Sequence, residues 1–151
     1  MADTKLSAAA RAFLAGNRQA AMTTLRRNGT PHTLRIGVSL VDGKIWSSGT
    51  RDRVRTRYLR RDPRSTLFVF DTEWRWLALE CHVRILDGRD APELNLRLFQ
   101  EMQRGQAPAG RIAWFGTEHT TDEFLQIMRD ERRLIYEFNV DRVYGVYDGA
   151  Q

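Results

Sequence analysis

The stretch that decides the fold is residues 45–70, IWSSGTRDRVRTRYLRRDPRSTLFVF. It begins with a strand-like pattern, breaks at a Gly-Thr pair, continues as a charged segment and returns to alternating apolar residues. The charged segment predicts a short helix over 52–61, whose inward-facing residues would be Val54, Tyr58 and Leu59. An Asp-Pro pair ends that helix, because the residue before a proline avoids helical angles. The stretch is therefore predicted to be strand–turn–helix–strand.

Strand and turn signals continue on the N-terminal side. Residues 19–26 and 32–41 predict two strands joined at Asn28-Gly29, and Asp42-Gly43 turns the chain into a third strand over 44–48. These three strands are expected to form a meander. The second strand alternates between an apolar face, made of Leu34, Ile36, Val38 and Leu40, and a polar face, made of Thr33, Arg35, Gly37 and Ser39. The polar face either meets water or lines a cofactor groove.

The remaining segments complete a mainly β pattern. Strands are predicted over 65–70, 76–86 and 134–140, with 143–147 extending the last one or pairing beside it. Helices are predicted over 6–15, 92–103 and 122–132; Ser7 would cap the first, and Thr120 or Thr121 the last. The fold class is therefore α+β, an antiparallel barrel of about six strands with short peripheral helices. Residues 1–151 are expected to form one domain.

Composition bounds the environment of the protein. The 151 residues are 42% hydrophobic and 28% charged, as in ordinary globular proteins. No run approaches the roughly 20 apolar residues of a membrane-spanning helix, and the N-terminus lacks the apolar core of a signal peptide. The single cysteine, Cys81, excludes an internal disulfide. We therefore expect a cytoplasmic protein without a membrane span.

The positive charge is concentrated in one place. Residues 51–64 hold seven arginines and two aspartates, so they carry +5, which equals the net charge of the whole chain. The small residues Ser47, Ser48 and Gly49 precede this segment and would let a ligand approach the backbone closely. A helix N-terminus beside Arg53 and Arg55 is typical of a phosphate site. The alternative is a solvated basic face of a helix.

Other kinds of site find little support in the sequence. The cysteine and the three histidines lack the spacing of metal ligands, and no serine lies in a nucleophile elbow. Nucleic-acid binding is not expected, because the basic charge is confined to one short helix without interleaved exposed aromatic residues. After the basic segment, three tryptophans, Trp46, Trp74 and Trp76, are the second indication of a ligand site in the sequence. Trp74 lies in the loop-like DTEWRW and could stack on a planar ring; core or subunit-interface packing is the alternative, above all for the other two.

The motifs NGTPHT, WSSGTR, VRTRYLRRDPRSTLFVF and EWRWLALECHVRIL, in this order, resemble the pyridoxamine 5′-phosphate oxidase-like split-barrel superfamily. The likeness covers about residues 13–147 and is greatest to the actinobacterial branch of small proteins that use the deazaflavin coenzyme F420. It implies a six-stranded antiparallel split barrel of the FMN-binding type. It also implies a homodimer with cofactor sites at the subunit interface. The implied cofactor is coenzyme F420, with FMN as the alternative.

The resemblance also implies particular binding residues. Arg53 and Arg55 match the positions that hold the cofactor phosphate, although relatives often have lysine at the second of them. The ring system would lie against two strands, at His32, Thr33, Ser47, Ser48 and Gly49. Trp74 lies in the stretch from which an aromatic residue of the partner subunit often covers the ring.

The implied function is hydride transfer from reduced F420 to an unsaturated organic acceptor, a small-molecule substrate. One alternative is an FMN-dependent flavoprotein oxidoreductase of the same fold. Another is a non-catalytic binder of a cofactor or of haem. No catalytic side chain is assigned, because the cofactor carries the chemistry, and His32 is only a candidate proton donor.

Overall fold

A computed structural model describes residues 5–148. This part of the chain contains four helices and nine strands. The helices are α1 (Ala8–Gly16), α2 (Val54–Arg61), α3 (Ala91–Met102) and α4 (Thr121–Asp130). The strands are β1 (Gln19–Leu25), β2 (Pro31–Gly37), β3 (Ser39–Val41), β4 (Lys44–Thr50), β5 (Arg64–Phe70), β6 (Trp76–Leu86), β7 (Arg111–Trp114), β8 (Thr117–Thr120) and β9 (Arg133–Val146). None of the described helices is long and apolar enough to cross a membrane.

Seven strands form one antiparallel sheet in the order β2-β1-β5-β6-β9-β4-β3. The other two, β7 and β8, pair as a separate hairpin. The expected fold class, mainly β with short peripheral helices, is confirmed. The strand count is higher than expected because one predicted strand is divided in two and the β7–β8 hairpin is additional.

The link between β2 and β3 is one residue, Val38, although these strands lie at opposite edges of the sheet. One residue spans at most about 3.6 Å, so the sheet has to curl until the end of β2 and the start of β3 lie close together. Two hydrogen bonds hold the junction. The Val38 N–H donates to the Arg18 carbonyl oxygen (2.8 Å), and the Ser47 hydroxyl donates to the Gly37 carbonyl oxygen (2.7 Å). The sheet is therefore a half-barrel.

The prediction of a single strand over 32–41 is therefore wrong, because this segment forms two strands, β2 and β3. Its first part pairs with β1 and its second part pairs with β4, so the predicted three-stranded meander does not form. The apolar alternation continues through the switch because Ile36 on β2 and Leu40 on β3 both contact the same core. A period of two residues shows which face is apolar, but it does not show which neighbour a strand pairs with.

The main core lies inside the half-barrel and is built from α1, α2 and six of the strands. Four alternating side chains of β6 are buried there, namely Leu77, Leu79, Cys81 and Val83. A second cluster lies between α3 and the sheet and includes Val41, Trp46, Leu98 and Ile135. Within it, the Trp46 indole N–H donates to the Glu137 carboxylate (3.0 Å) directly across the β4–β9 pairing. The structure therefore places Trp46 in the core.

The β7–β8 hairpin packs on α4 through a third apolar cluster, made of Ile112, Phe124 and Met128. Its turn consists of Phe115 and Gly116, whose φ angles of 48° and 80° are both left-handed. Phenylalanine rarely adopts such angles, so the sequence carries no turn signal here. Phe115 is 85% exposed at the tip.

The orientation of α2 shows that one residue predicted to face inward, Val54, does not. Val54 is 39% exposed, whereas Thr56 and Leu59 are buried. The Thr56 hydroxyl donates to the Thr50 carbonyl oxygen (2.7 Å), which fixes the side of the helix that faces the sheet. Residues two apart on a helix point about 200° apart, so Val54 is turned away.

The helix caps agree with the sequence. Ser7 caps α1 by accepting from the Ala10 N–H (3.1 Å). The sequence left open whether Thr120 or Thr121 caps α4. In the structure Thr120 is the N-cap and forms a capping box with Glu123.

We expect Thr120→Ala to lower the free energy of unfolding by about 1 kcal/mol, because the Glu123 N–H loses its acceptor. Thr121→Ala, one residue further along, is the control and should change stability by less than half as much. Urea unfolding of both variants measures the difference. Equal losses would mean that the capping box does not contribute.

Candidate functional site

The N-terminus of α2 follows directly from the end of β4. Arg53 holds the N-cap position, and its side chain makes no capping hydrogen bond. A guanidinium has only donors, so it cannot accept from the first-turn N–H groups. This helix end therefore presents donors and a positive dipole end without a side-chain acceptor.

A buried hydroxyl network anchors this helix end to the sheet. Thr56 uses its one hydroxyl hydrogen on the Thr50 carbonyl oxygen (2.7 Å), so the Tyr136 hydroxyl must donate to Thr56 Oγ1. Tyr136 lies on β9 and is fully buried, and burial raises the pKa of its phenol. The phenol therefore stays neutral and works as a hydrogen-bond donor that ties β9 to the start of α2.

Gly49 is required by the same tyrosine. A Cβ atom at Gly49 would lie 2.4 Å from both Cζ and the hydroxyl oxygen of Tyr136. The sequence suggests that this glycine leaves space for a ligand, but in the structure the phenol occupies that space.

Arg55 is the unusual charge of the site. Its guanidinium lies over the Tyr136 ring, 5.5 Å from the centroid, and its Nε is buried without a hydrogen-bond partner among residues 5–148. Burial lowers the pKa of Arg55, and the charges of Arg53 and Arg133 act in the same direction. Arginine nevertheless stays charged near neutral pH. An anion placed here would relieve both effects.

The neighbouring charges leave this site positive. Arg133 is compensated by Glu131 at 2.8 Å. Neither Arg53 nor Arg55 has a carboxylate within ion-pair distance in the part of the chain that the structure describes. Two uncompensated guanidinium groups and a helix N-terminus therefore share one place, as an anion site requires.

The two serines before α2 lie on opposite faces of β4. Ser47 is buried on the inner side and donates to the Gly37 carbonyl oxygen. Ser48 points toward α3 and donates to Asn95 Oδ1 (2.6 Å). Both hydroxyl hydrogens are therefore used within the protein. One ligand cannot contact both side chains, and any shared contact would go through the backbone of β4.

His32 and Thr33 lie on β2 and also face opposite sides. The His32 ring meets the edge of Tyr58 on α2 (centroids 5.6 Å apart), and its Nδ1 is buried without a partner in the described chain. Thr33 faces outward and its hydroxyl contacts that of Thr23 (3.0 Å). A groove of about 560 Å³ runs beside Thr33 and is bordered by Arg35 and Phe70. Thr33 and Arg35, two of the four residues on the polar face of the second predicted strand, therefore line this groove.

Aromatic residues continue the outer face of the sheet beyond this groove. Phe68, Phe70, Trp76 and Tyr144 form a row of ring contacts with centroid separations of 5.7, 5.6 and 6.1 Å. Phe70 is 63% exposed. Monomeric proteins rarely leave a continuous apolar patch of this kind in water.

Trp74 lies in the turn between β5 and β6 and is 55% exposed. Asp71 holds this turn through hydrogen bonds from the Glu73 and Arg75 N–H groups and an ion pair with Arg75 at 2.7 Å. The three tryptophans of the sequence signal thus separate: one is in the core, one is on the outer face and Trp74 is at a fixed, open turn.

The candidate residues therefore do not all lie together. Two are at the α2 N-terminus and three lie along β4, whereas Thr33 is on the outer face, His32 lies beside Tyr58 of α2 and Trp74 is at the β5–β6 turn. Sequence reasoning missed Tyr136 and Phe70. An aromatic residue in a predicted strand gives no signal of a role at the end of another element. Among residues 5–148, no three His, Cys, Asp or Glu side chains lie together as metal ligands would.

The curled seven-stranded sheet with its flanking helices defines the class of the protein, an antiparallel split β-barrel. A family model described as pyridoxamine 5′-phosphate oxidase matches residues 6–147. The chain belongs to that family.

Solved structures show the same fold in proteins of diverse description. A conserved hypothetical protein of Mycobacterium tuberculosis matches with a TM-score of 0.72 at 18% identity, over 100% of this chain and 94% of that one. An F420 reductase matches with a TM-score of 0.58 at 16% identity, over 83% and 88%. An FAD-binding protein of Mesorhizobium loti matches with a TM-score of 0.61 at 13% identity, over 93% and 94%. At these identities the likeness shows a shared fold.

We expect Gly49→Ala to lower the free energy of unfolding by about 1–3 kcal/mol, because the added methyl group overlaps the anchored Tyr136 phenol. Gly16→Ala is the matched control, since nothing lies within 4 Å of its missing Cβ and it lies in a helix. That variant should be neutral or slightly stabilising. Thermal and urea unfolding measure both, and a neutral Gly49→Ala would contradict the packing argument.

Proposed function

We propose that this protein is an oxidoreductase that binds coenzyme F420 and catalyses hydride transfer from the reduced coenzyme to an unsaturated organic acceptor. The observation that carries the proposal is Arg55, a half-buried guanidinium without a carboxylate partner, at a helix N-terminus of a pyridoxamine 5′-phosphate oxidase family fold. The resemblance to an F420 reductase adds support.

Arg53 and Arg55 would hold the phosphate of the coenzyme, together with the first-turn N–H groups of α2. Thr33 would border the ring system through its side chain, and His32, whose side chain faces the other side of β2, through its backbone. Because Ser47, Ser48 and Gly49 are committed to internal packing, they would contribute backbone groups. The coenzyme supplies the hydride when bound, while the protein orients the reactants, excludes water and provides the electrostatic environment.

The functional unit would be a homodimer. The aromatic row of Phe68, Phe70, Trp76 and Tyr144 adjoins the Thr33 groove on the same outer face. A second copy that covers this row would also cover the groove and enclose a ligand between subunits. Trp74 of the partner subunit, presented at its fixed turn, is the residue we assign to cover the ring.

A flavin is the second candidate cofactor, because the fold also resembles an FAD-binding protein and FMN carries the same ribityl phosphate as F420. The chemistry separates the two. A deazaflavin has carbon where a flavin has its reactive nitrogen, so it transfers hydride but reacts poorly with oxygen. A cofactor or haem carrier without catalysis would bind and show no turnover.

The proposal is tested by titrating the purified protein with F420 and with FMN while following cofactor fluorescence. We expect a colourless protein that binds F420 at micromolar concentration or tighter and reduces quinone- or enone-like acceptors only with reduced F420. A yellow protein that retains flavin and consumes oxygen would establish the flavin alternative instead.

Arg55→Ala should weaken F420 binding by roughly 1.5–3 kcal/mol, or about 10- to 150-fold, the scale of a charge-assisted hydrogen bond. Arg53→Ala should have a smaller effect, because Arg53 is exposed. Arg60→Ala is the control, since Arg60 lies on the same helix but pairs with Asp87 at 2.9 Å. Equal weakening by all three variants would indicate a diffuse positive field and not a specific site.

The double variant Phe68→Ser/Phe70→Ser should convert the dimer into the 17.5 kDa monomer in sedimentation experiments at micromolar concentration. Phe115→Ser is the control, because it removes an even more exposed phenylalanine at the tip of the β7–β8 hairpin. A wild-type protein that sediments as a monomer would refute the dimer.

A further inference from the structure

The arginines around α2 divide into compensated and uncompensated groups. Arg51 and Arg60 both pair with Asp87 at 2.9 Å, and Arg64 pairs with Asp62 at 2.8 Å. Arg57 and Arg61 make no ion pair in the described part of the chain, although they belong to the same run. The run that looks like one patch in the sequence is therefore partly compensated on one side, where Arg51 and Arg60 share one carboxylate, and uncompensated on another.

Arg57 and Arg61 meet two further arginines from the β1–β2 hairpin. A surface cleft of about 660 Å³, which we call the basic cleft, is lined by Arg26, Arg27, Asn28, Arg57, Tyr58 and Arg61. It contains four guanidinium groups and no carboxylate. Its volume lies within the range of roughly 300–1,000 Å³ that is usual for small-molecule sites.

Two of the four guanidinium groups are fixed by contacts with the protein. Arg61 donates to the Leu25 carbonyl oxygen and lies over the Tyr58 ring, 5.4 Å from its centroid. Arg26 donates to the Pro31 carbonyl oxygen (2.6 Å). These contacts tie α2 to the hairpin and fix the cleft walls, because both acceptors flank the hairpin turn.

The other two guanidinium groups are uncommitted. The side chains of Arg27 and Arg57 have no hydrogen bond or ion pair in the described part of the chain. Like charges that converge on one cleft repel one another, so a bound anion lowers the electrostatic energy of the cleft. The cleft thus combines a fixed wall with free donors.

The basic cleft is separate from the site at Arg55. Arg55 and Arg57 are two positions apart on a helix, so their side chains leave it about 200° apart. Arg55 lies over Tyr136 toward the sheet interior, whereas Arg57 lines the cleft beside Tyr58. An anion bound by one does not reach the other from the same face of α2.

We propose that the basic cleft is a second anion site, which binds a ligand with two or more linked phosphate groups. Linked phosphates concentrate several negative charges in a short length, which matches four guanidinium groups from two elements facing one cleft. Arginine donors suit phosphate oxygens through paired hydrogen bonds. The site is independent of the proposed cofactor function, since it uses neither Arg53 nor Arg55.

Tripolyphosphate is the probe, measured by isothermal titration calorimetry at constant ionic strength set with chloride. We expect one tripolyphosphate per chain bound at the basic cleft at micromolar concentration, apart from weaker binding at Arg53 and Arg55, which offer two guanidinium groups and not four. Arg27→Gln and Arg57→Gln should each weaken binding at least fivefold. Arg60→Gln removes the same charge from the same region and should change binding less than twofold, whereas Arg55→Gln should remove only the weaker binding and leave the affinity of the basic cleft within twofold.

Three results would overturn the proposal. One is the absence of tripolyphosphate binding beyond that of chloride at matched ionic strength. Another is equal weakening by Arg60→Gln and Arg57→Gln, which would describe a diffuse field. The third is a loss caused mainly by Arg55→Gln, which would place the anion in the cofactor phosphate site. A triglutamate peptide serves as the comparison, and binding tighter than that of tripolyphosphate would refute the assignment to phosphate. Because the side chains of Arg27 and Arg57 make no hydrogen bond or ion pair among residues 5–148, both variants should keep the wild-type unfolding temperature.

Discussion

The one-residue link at Val38 is the constraint on which the rest of the structure depends. It joins the two edges of a seven-stranded sheet, so an open sheet is not available to this chain. Closing the edges brings β4 beside the end of β2, where the Ser47 hydroxyl meets the Gly37 carbonyl oxygen. The end of β4, and with it the start of α2, is thereby positioned by the barrel itself. The basic helix terminus is consequently part of a rigid corner and does not lie on a free loop.

The corner is completed from inside by Tyr136. Its phenol fills the space above Gly49 and donates to Thr56, so one buried side chain connects the end of β4 to the start of α2. The ring of the same side chain lies under the Arg55 guanidinium. A half-buried guanidinium without a carboxylate lowers stability, because part of its hydration is lost without compensation. A chain selected for stability alone would place an acid there. Keeping the charge uncompensated is understandable where a bound anion supplies the missing partner.

Local structure could be predicted from the sequence, and the pairing of distant segments could not. The bounds of β6, the caps at Ser7 and Thr120, and the turn at Asp42-Gly43 follow from nearby residues. The switch at Val38 leaves the apolar alternation intact, so the pattern hides it. The opposite orientation of Ser47 and Ser48 follows from their alternation along a strand, yet a ligand-based interpretation groups them. The left-handed Phe115 has no local signal, since its turn is supported by packing of the neighbouring hairpin residues.

Charge shows the same limit most clearly. A run of seven arginines and two aspartates has a net charge of +5, but this net charge does not show which face of the folded segment is positive. In the folded protein, Arg51 and Arg60 pair with Asp87. Arg55 lies over the Tyr136 ring, whereas Arg57 and Arg61 line the basic cleft beside the β1–β2 hairpin. The helix period separates these directions, and distant carboxylates decide which of them remain positive. A compact basic segment can therefore carry two anion sites with different partners, because what matters for binding is the uncompensated charge on each face and not the total charge of the run.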